Sequence, residues 1–507
     1  MSAPASAASA AAPAPASAAP APGRRRRLLI LAICCLSLFI VGLDNTVVNI
    51  ALPEIQKDLG AQASGLQWVI DAYTLVLASL LMLFGSVADR FGRRRVFQTG
   101  LLLFVLGSLL CSMAPSLEWL VVFRAVQAVG GSMLNPVAMS IITNTFTEPR
   151  ERAQAIGVWG GVVGISMALG PLLGGFLVDG AGWPSIFLIN VPVGLAACLL
   201  TARYVPESRA PRARRLDPVG QLLMIVLLGC GTAAIIEGPE HGWTSPLIIG
   251  LAAAALAALV AFPLWERRVA EPLVDPRFFR SAPFTGATVT AVCAFAALGG
   301  FLFLNTIYLQ DVRRYSPVEA GLWTLPMAGM MLVCAPVSGR IVGSRGPRGP
   351  LVAAGLGLAA SGLLLTRLAA DSPAALLLVA YALFGLGFGM VNAPITNAAV
   401  SGMPRAQAGV AAAVASTSRQ VGQSLGVAVI GTVVTSAVIG PVLTGFAPAS
   451  HAGWWIVTGL GAAILVLGLV TTTAWATGTA ARVAARLGGE PPAVRPGVRE
   501  APPERLP

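Results

Sequence analysis

Lysine is almost absent from this sequence of 507 residues, since Lys57 is the only lysine among 34 basic residues. A phosphate-binding loop of the GxxxxGK[ST] type needs a lysine followed by Ser or Thr, and Lys57 is followed by Asp58. The chain therefore carries no ATPase of the P-loop type. If it transports a solute, the energy must come from an ion gradient, the substrate gradient or a separate ATPase subunit.

Histidine and cysteine are also too few or too scattered for an active site. The two histidines, His241 and His451, are expected in outer loops, and neither belongs to an HExxH or Ser/His/Asp pattern. The seven cysteines fall inside apolar runs without CxxC or paired spacing, so neither a disulfide framework nor a zinc site is indicated. We expect no metal and no cofactor, and a polytopic membrane enzyme is the least favoured function.

Charge is scarce as well. Only 11% of the residues are charged and 56% are hydrophobic, and the mean hydropathy of +0.77 leaves too little polar surface to cover a soluble globule. The formal charge of +12 comes from arginines in short loops between apolar runs. Membrane topology explains this pattern, so the lipid bilayer is the expected partner and nucleic acid is not.

Long apolar runs dominate the remainder of the chain. The first, 28 to 52, is long enough to cross a hydrocarbon core of ~30 Å and too long for a signal peptide. Thirteen more follow, at about 69–88, 96–114, 118–145, 155–179, 187–206, 217–237, 247–265, 284–309, 322–342, 350–370, 375–399, 410–438 and 453–476. The fold class predicted is therefore an all-α integral membrane protein with fourteen transmembrane helices.

The loops between these runs predict the orientation. One alternate set of connections holds 17 basic residues, whereas the other holds only Lys57, Arg313 and Arg314. Because Lys and Arg accumulate on the cytoplasmic side, both termini are predicted to be cytoplasmic. The consistent alternation also supports the number of spans.

Short sequence matches recur at a nearly constant offset. Gly65-Leu66 returns as Gly321-Leu322, Gly85 as Gly339, Met133-Leu134-Asn135 as Met390-Val391-Asn392, and Arg152-Ala153-Gln154-Ala155 as Arg405-Ala406-Gln407-Ala408. This repeat predicts two parallel six-helix bundles with two helices inserted between them. The predicted organisation is a disordered cytoplasmic tail at 1–27, bundles at 28–206 and 283–476, a linker with the inserted helices at 207–282, and a cytoplasmic tail at 477–507.

Four motifs connect the chain to a known family. They are the loop between spans 2 and 3 (Gly85, Asp89, Arg90, Gly92, Arg93, Arg94), Arg124 to Gly131 in span 4, a glycine motif in span 5 (Gly164, Gly170, Pro171, Gly174, Gly175), and Leu43 to Pro53 in span 1. On these residues the chain resembles the major facilitator superfamily, and within it the drug:proton antiporters with fourteen transmembrane helices. The resemblance covers about residues 28 to 476.

The resemblance implies an exporter of drug-like or antibiotic small molecules, driven by protons through alternating access. The Arg-rich, nearly Lys-free composition indicates a GC-rich bacterial genome and hence a plasma membrane, and we expect a monomer. The span 5 motif favours export over import. A uniporter or a nutrient importer of the same fold is the alternative. The span 2–3 loop is expected to gate access, although its arginines also serve topology, and the span 5 glycines either bend the helix or simply pack tightly.

Ionisable side chains within the spans are the sharpest functional signal, because they are costly in lipid. Asp44, Asp71 and Arg124 are expected at one depth, nearer the outer face. We hypothesise that Asp44 carries the proton, that burial favours its protonated form, and that approach of Arg124 favours the carboxylate. The alternative is a static ion pair that only fixes helix packing. For Asp71, simple hydration near the outer interface is an equal alternative.

Polar residues at other depths suggest a substrate cavity, for which the candidates are Asn49, Asn135, Asn305, Gln310 and Arg419. No acidic residue occurs between Asp371 and Glu490, whereas some relatives that export dications use acids there. A neutral or weakly charged amphipathic substrate is therefore expected.

Overall fold

The structure, a computed structural model, describes residues 23–209, 217–400 and 408–487. The N-terminal tail expected to be disordered lies almost wholly outside these residues, as does most of the C-terminal tail. The described residues form a bundle of long helices with short connections.

Fourteen long helices make up this bundle. The N-terminal half contains α1 Arg24–Leu59, α2 Ala63–Phe91, α3 Arg93–Ser112, α4 Leu117–Thr145, α5 Pro149–Ala181 and α6 Ser185–Tyr204. The inserted hairpin contains α7 Pro218–His241 and α8 Pro246–Glu266. The C-terminal half contains α9 Ala282–Val312, α10 Pro317–Arg345, α11 Arg348–Leu365, α12 Ala374–Val400, α13 Ala408–Leu425 with its continuation to Ala437, and α14 Val442–Val470.

Thirteen of these helices, among the described residues, are long and apolar enough to cross a membrane. The remaining one, α5, has an apolar stretch at Leu169–Ala181 and lies between two of them in the chain. Together they confirm the predicted all-α membrane fold with fourteen spans.

Local sequence signals explain where several helices begin. Proline follows the capping residue of α7 and α8, and the Asp217 and Ser245 side chains accept hydrogen bonds from the backbone three residues ahead. At the start of α10, Ser316 and Glu319 form a reciprocal capping box. Helix α1 ends at Leu59 and is capped by Gly60, whose φ of 62° suits glycine.

The two halves repeat the same helix pairing. In the N-terminal half α1 packs against α5 and α6, α2 against α4, and α3 against α4 and α6. In the C-terminal half α9 packs against α13 and α14, α10 against α12, and α11 against α12 and α14. Adding eight to each helix number in the first set gives the second set. This is expected for two parallel six-helix copies separated by two inserted helices.

Several helix boundaries differ from the sequence expectation, and two of the differences move a named residue. Helix α14 begins at Val442 instead of 453, so His451 lies inside a helix, where its Nε2 is 2.7 Å from the Leu368 carbonyl oxygen, and not in a loop. Helix α11 ends at Leu365, which places Arg367 beyond the span among the outer loops. A further short helix, α15 Ala474–Arg486, occupies part of the expected C-terminal tail.

The inserted hairpin lies beside the seam between the halves. Trp68 Nε1 of α2 donates to Glu237 Oε1 of α7 at 2.6 Å, and Gln221 Nε2 of α7 donates to the Ser79 carbonyl of α2 at 2.6 Å. One bond reaches the C-terminal half, from Thr432 Oγ1 to the Ile235 carbonyl at 3.3 Å. Helix α8 packs mainly against α7 and leaves large apolar side chains exposed. The hairpin is therefore attached chiefly to the N-terminal half.

The halves meet closely at the outer end. Gln310 Nε2 donates to the Ile50 carbonyl at 2.8 Å, and the Val318 backbone N–H donates to Asp179 Oδ2 at 3.2 Å. Helices α5 and α10 approach so closely that a Cβ on Gly321 would lie 2.6 Å from the Pro171 carbonyl oxygen. The structure is therefore closed on the outer side.

We expect Gly321→Ala to open the outer end. The added methyl group would overpack two helix backbones, which typically costs about 1–3 kcal/mol. Cysteines introduced as Asp179→Cys and Val318→Cys should be joined by a short thiol cross-linker, and Gly321→Ala should slow this reaction several-fold. Gly329→Ala on the same helix is the matched control, because a Cβ there meets nothing within 4 Å. Equal rates in both backgrounds would show that this contact does not hold the outer end closed.

Candidate functional site

Asp44 and Arg124 form an ion pair inside the N-terminal half. Arg124 Nη1 donates to Asp44 Oδ2 at 2.6 Å, and the two side chains are 1% and 0% exposed. Asp44 lies on α1 and Arg124 on α4, so the contact joins helices that are distant in the sequence. The depth estimated from the sequence for these two residues is therefore consistent with the structure.

Two amides complete the shell around the carboxylate. Gln127 Nε2 donates to Asp44 Oδ1 at 2.8 Å, and Asn190 Nδ2 donates to the same oxygen at 3.1 Å. Gln127 also accepts from Arg124 Nη1 at 2.7 Å and donates to Ser108 Oγ at 2.8 Å. We call Asp44, Arg124, Gln127, Asn190 and Ser108 the Asp44 cluster, and its members come from α1, α3, α4 and α6.

The remaining surface of Arg124 is also occupied. Its Nε donates to the Val69 carbonyl at 3.1 Å, and its guanidinium carbon lies 4.2 Å from the centre of the Tyr73 ring. A cation stacked on an aromatic face in a dry environment is stabilised by the ring quadrupole. Arg124 is therefore held in place by α2 as well as by Asp44.

The donor set determines which form of Asp44 fits the cluster. An ionised carboxylate only accepts hydrogen bonds, and every group that reaches Asp44 donates one. A protonated carboxyl group would present its own O–H to these donors. In this conformation the cluster therefore offers Asp44 only hydrogen-bond donors.

Asp71 lies apart from this cluster. It is 0% exposed, which contradicts the alternative of simple hydration at the outer interface. Thr74 Oγ1 donates to its Oδ1 at 3.2 Å, and Ser424 of α13 lies next to the carboxyl group. Asp71 therefore faces the C-terminal half, whereas Asp44 is enclosed by the N-terminal half.

The span 5 glycine motif packs on the helix that carries Asp44. A Cβ on Gly174 would lie 2.9 Å from Val47 Cγ2, and a Cβ on Gly170 would collide with Thr46. On its other side the motif contacts α10, where Gly175 lies against Pro317 and Pro171 against Gly321. Gly164 lies in the same helix, α5. The motif thus sits between α1 and the C-terminal half.

The expected loop between spans 2 and 3 is reduced to Gly92, because Asp89 and Arg90 belong to α2 and Arg93 and Arg94 belong to α3. Two acids organise this short loop and the adjoining helix ends. Arg93 donates to Asp89 Oδ1 from Nε at 3.0 Å and from Nη2 at 2.7 Å. Glu207, after α6, accepts from the Arg94 backbone N–H at 3.1 Å and crowds Gly92, whose φ of 115° suits glycine. Arg90 is exposed. In this conformation the loop is therefore bonded within the N-terminal half, and Gly85 faces Pro136 of α4.

The candidate cavity residues divide into two groups. Asn305 accepts a hydrogen bond from Tyr381 inside the C-terminal half, and Gln310 belongs to the outer closure. Asn49, Asn135 and Arg419 each keep a buried polar atom without a partner among the described residues. Arg419 also donates to Thr396 Oγ1 at 2.6 Å. Because a cation at this depth avoids lipid, Arg419 is expected to face the space between the halves.

Several residues of the site were not singled out from the sequence. Gln127 follows Arg124 by three residues, a spacing that places both on one face of α4, so helical periodicity was the available signal. Asn190, Ser108 and Glu207 carry no comparable signal. Their roles follow only from the packing of α3 and α6 around α1.

Comparison with known proteins agrees with this architecture. The sequence profile of the Major Facilitator Superfamily matches residues 34–427, which is more than half of the chain. The chain belongs to the major facilitator superfamily. As a member of this superfamily with fourteen apolar helices, it is a multi-pass plasma-membrane transporter and not an enzyme.

Named relatives in the superfamily are resistance and export proteins. The chain is 39% identical to the multidrug resistance protein Stp of Mycobacterium tuberculosis over 79% of its own length and 74% of the relative. It is 41% identical to the tetracenomycin C resistance and export protein of Streptomyces glaucescens, with 79% and 75% covered. It is 43% identical to the puromycin resistance protein pur8 of Streptomyces alboniger, with 78% and 80% covered.

A solved structure supports the major facilitator fold. The crystal structure of a bacterial homolog of the human lysosomal transporter Spinster, in an inward-facing and unoccupied conformation, matches with a TM-score of 0.59. The identity is 17%, and the match covers 92% of this chain and 99% of the other. At this identity the likeness concerns the fold alone.

Removal of Arg124 should strongly destabilise the protein. Breaking a buried ion pair from one side leaves an uncompensated charge, which typically costs about 3–5 kcal/mol. We expect this loss for Arg124→Leu in chemical unfolding in mixed micelles, and partial recovery when Asp44→Asn is added. Glu151→Gln, which breaks the more exposed pair of Glu151 with Arg27, is the control and should cost less than about 1 kcal/mol. Similar losses for Arg124→Leu and the control would contradict the pairing.

Proposed function

We propose that this transporter exports a neutral or weakly charged amphipathic compound, such as an antibiotic, in exchange for protons, and that Asp44 carries the proton. The observation that supports this most is the position of Asp44. It is a fully buried carboxylate, reached only by hydrogen-bond donors, in a conformation closed on the outer side.

The direction of proton movement follows from this arrangement. In the outer-closed conformation the Asp44 cluster favours the carboxylate, so a proton that arrived from outside leaves toward the cytoplasm. When the outer side opens, separation of Arg124 from Asp44 would leave a buried charge unpaired, which protonation relieves. Proton entry is thereby linked to outward opening, and substrate leaves in that state.

Two contacts link the Asp44 cluster to the C-terminal half. Gln423 Nε2 of α13 donates to the Asn45 carbonyl, next to Asp44, at 3.4 Å. The adjacent Ser424 lies at Asp71. Together with the span 5 motif between α1 and α10, these contacts would transmit a change at Asp44 to the interface that must rearrange. We assign Asp71 a secondary role in proton coupling, and the loop around Asp89 a gating role.

The substrate class is inferred from charge and from the relatives. The second half of the chain has no acidic residue beyond Asp371 in its described spans, so nothing there favours a dication. Relatives named for resistance to tetracenomycin C, puromycin and methylenomycin A suggest bulky antibiotics. Asn49, Asn135 and Arg419 offer free polar atoms for such a compound.

Asp44→Asn should abolish coupled transport in protein that remains folded; it removes the partner charge of Arg124, which keeps its contacts with Val69, Gln127 and Tyr73. The amide keeps the shape of the carboxyl group but cannot exchange a proton. In proteoliposomes loaded with a pH indicator, addition of puromycin should drive proton movement through the wild type and none through Asp44→Asn. The exposed outer residue Asp371, changed to Asn, is the matched control and should behave as the wild type.

Two results would contradict the proposal. Proton movement that persists in Asp44→Asn would exclude Asp44 as the carrier. Puromycin transport by the wild type that is unchanged after the proton gradient and membrane potential are collapsed would favour the uniporter alternative.

Asp71→Asn should change the stoichiometry of exchange. If Asp71 binds a second proton during the cycle, the ratio of protons to substrate falls in this variant while transport continues. Simultaneous flux measurements of both species test this. An unchanged ratio would leave Asp71 with a packing role at Ser424 and remove it from proton coupling.

A further inference from the structure

Helix α15 lies at the cytoplasmic end of the C-terminal half. It begins after only three residues from the end of α14, so it is close to the membrane surface. Its buried face, which includes Ala476, Ala480 and Val483, packs against the start of α9 and the short helix Pro276–Arg280. The Ala282 backbone N–H donates to Thr479 Oγ1 at 2.8 Å. The helix is therefore fixed to the body of the protein.

A small cavity separates α15 from the short helix. Its volume is about 190 Å³, and its lining consists of Arg280, Thr479, Arg482, Val483 and Arg486. We call this cavity the arginine pocket. None of its three arginines forms an ion pair with a described residue, and none of the lining residues is acidic. Three cations that converge without a counter-charge repel one another unless an anion binds between them.

The neighbouring cavity shows a different arrangement. It has a volume of about 320 Å³ and shares Arg280, but it also contains Glu266 and Asp275. Arg277 there pairs with Asp275 at 2.7 Å, and this contact raises the pKa of the Arg277 guanidinium. That cavity carries its own counter-charge, whereas the arginine pocket does not.

The surroundings of the arginine pocket indicate the source of the anion. Trp475, Thr479, Arg482 and Arg486 are spaced by four, three and four residues, so they form one stripe along α15. Trp475, at the end nearest the membrane, is 63% exposed, and Phe279, next to Arg280, is 44% exposed. Exposed aromatic side chains beside arginines are typical of the membrane interface. A water-soluble phosphate compound would gain nothing from this apolar rim.

We propose that the arginine pocket binds the phosphate group of an anionic phospholipid from the cytoplasmic leaflet. Guanidinium groups match phosphate oxygens in charge and geometry, and the cavity is large enough for one such group. The acyl chains would then run along the lipid-facing ends of α9 and α14, past Phe279 and Trp475. The bound lipid joins α15 to the start of α9 and so stabilises the cytoplasmic end of the C-terminal half.

Native mass spectrometry of the full chain, titrated with phosphatidylglycerol, tests this site. The variant Arg280→Gln/Arg482→Gln/Arg486→Gln should lose one tightly bound lipid, with an affinity roughly 100-fold lower, because each arginine near an anionic lipid contributes to binding. The control is Arg340→Gln/Arg345→Gln/Arg348→Gln, which removes the same charge from exposed arginines at the cytoplasmic ends of α10 and α11. This control should retain the tightly bound lipid.

Three outcomes would overturn the proposal. Equal retention of phosphatidylglycerol in the two triple variants would show that the arginine pocket is not its site. Equally tight binding of phosphatidylcholine to the wild type would show that the lipid's net negative charge is not recognised. Displacement of phosphatidylglycerol by millimolar inorganic phosphate would assign the pocket to a soluble phosphate compound.

Discussion

The burial of one negative charge constrains much of the N-terminal half. A carboxylate at Asp44 that no water reaches must find its hydrogen-bond donors in the protein, and four helices converge to supply and support them. This convergence requires close helix contact. At Gly107, for example, a Cβ would lie 2.5 Å from the Gln127 Cα, so glycine allows α3 to approach α4 and brings Ser108 to Gln127.

The two halves share one architecture but contain different polar groups. The N-terminal half contains the ion pair, whereas the C-terminal half contributes polar contacts to the interface and an aromatic core around Phe301, Tyr381 and Trp454. Movement of a proton at Asp44 matters for transport only if the second half responds. Gln423, Ser424 and the span 5 glycines are the contacts through which that response would pass.

The sequence predicted the features that depend on lipid. Spans, orientation and the repeat follow from hydropathy and arginine placement, and Asp44 and Arg124 were found because charge in a span is costly. Uncharged polar residues were harder to interpret. Asn190 donates a hydrogen bond to Asp44, whereas Asn305 accepts one from Tyr381. Both are asparagines in apolar runs, so only tertiary packing distinguishes their roles. Helix α15 was missed because it is short and its buried face consists of small side chains, so the sequence shows no long apolar run there.

Infrared spectroscopy of the Asp44 carboxyl group in membranes would test the account most directly. Protonated and ionised carboxyl groups absorb at different frequencies, and Asp44→Asn identifies which band belongs to this residue. If Asp44 couples proton movement to transport, adding substrate changes the fraction of Asp44 that is protonated at constant pH. A band for Asp44 that does not respond to substrate at any pH would contradict the claim that this carboxyl group couples proton movement to transport.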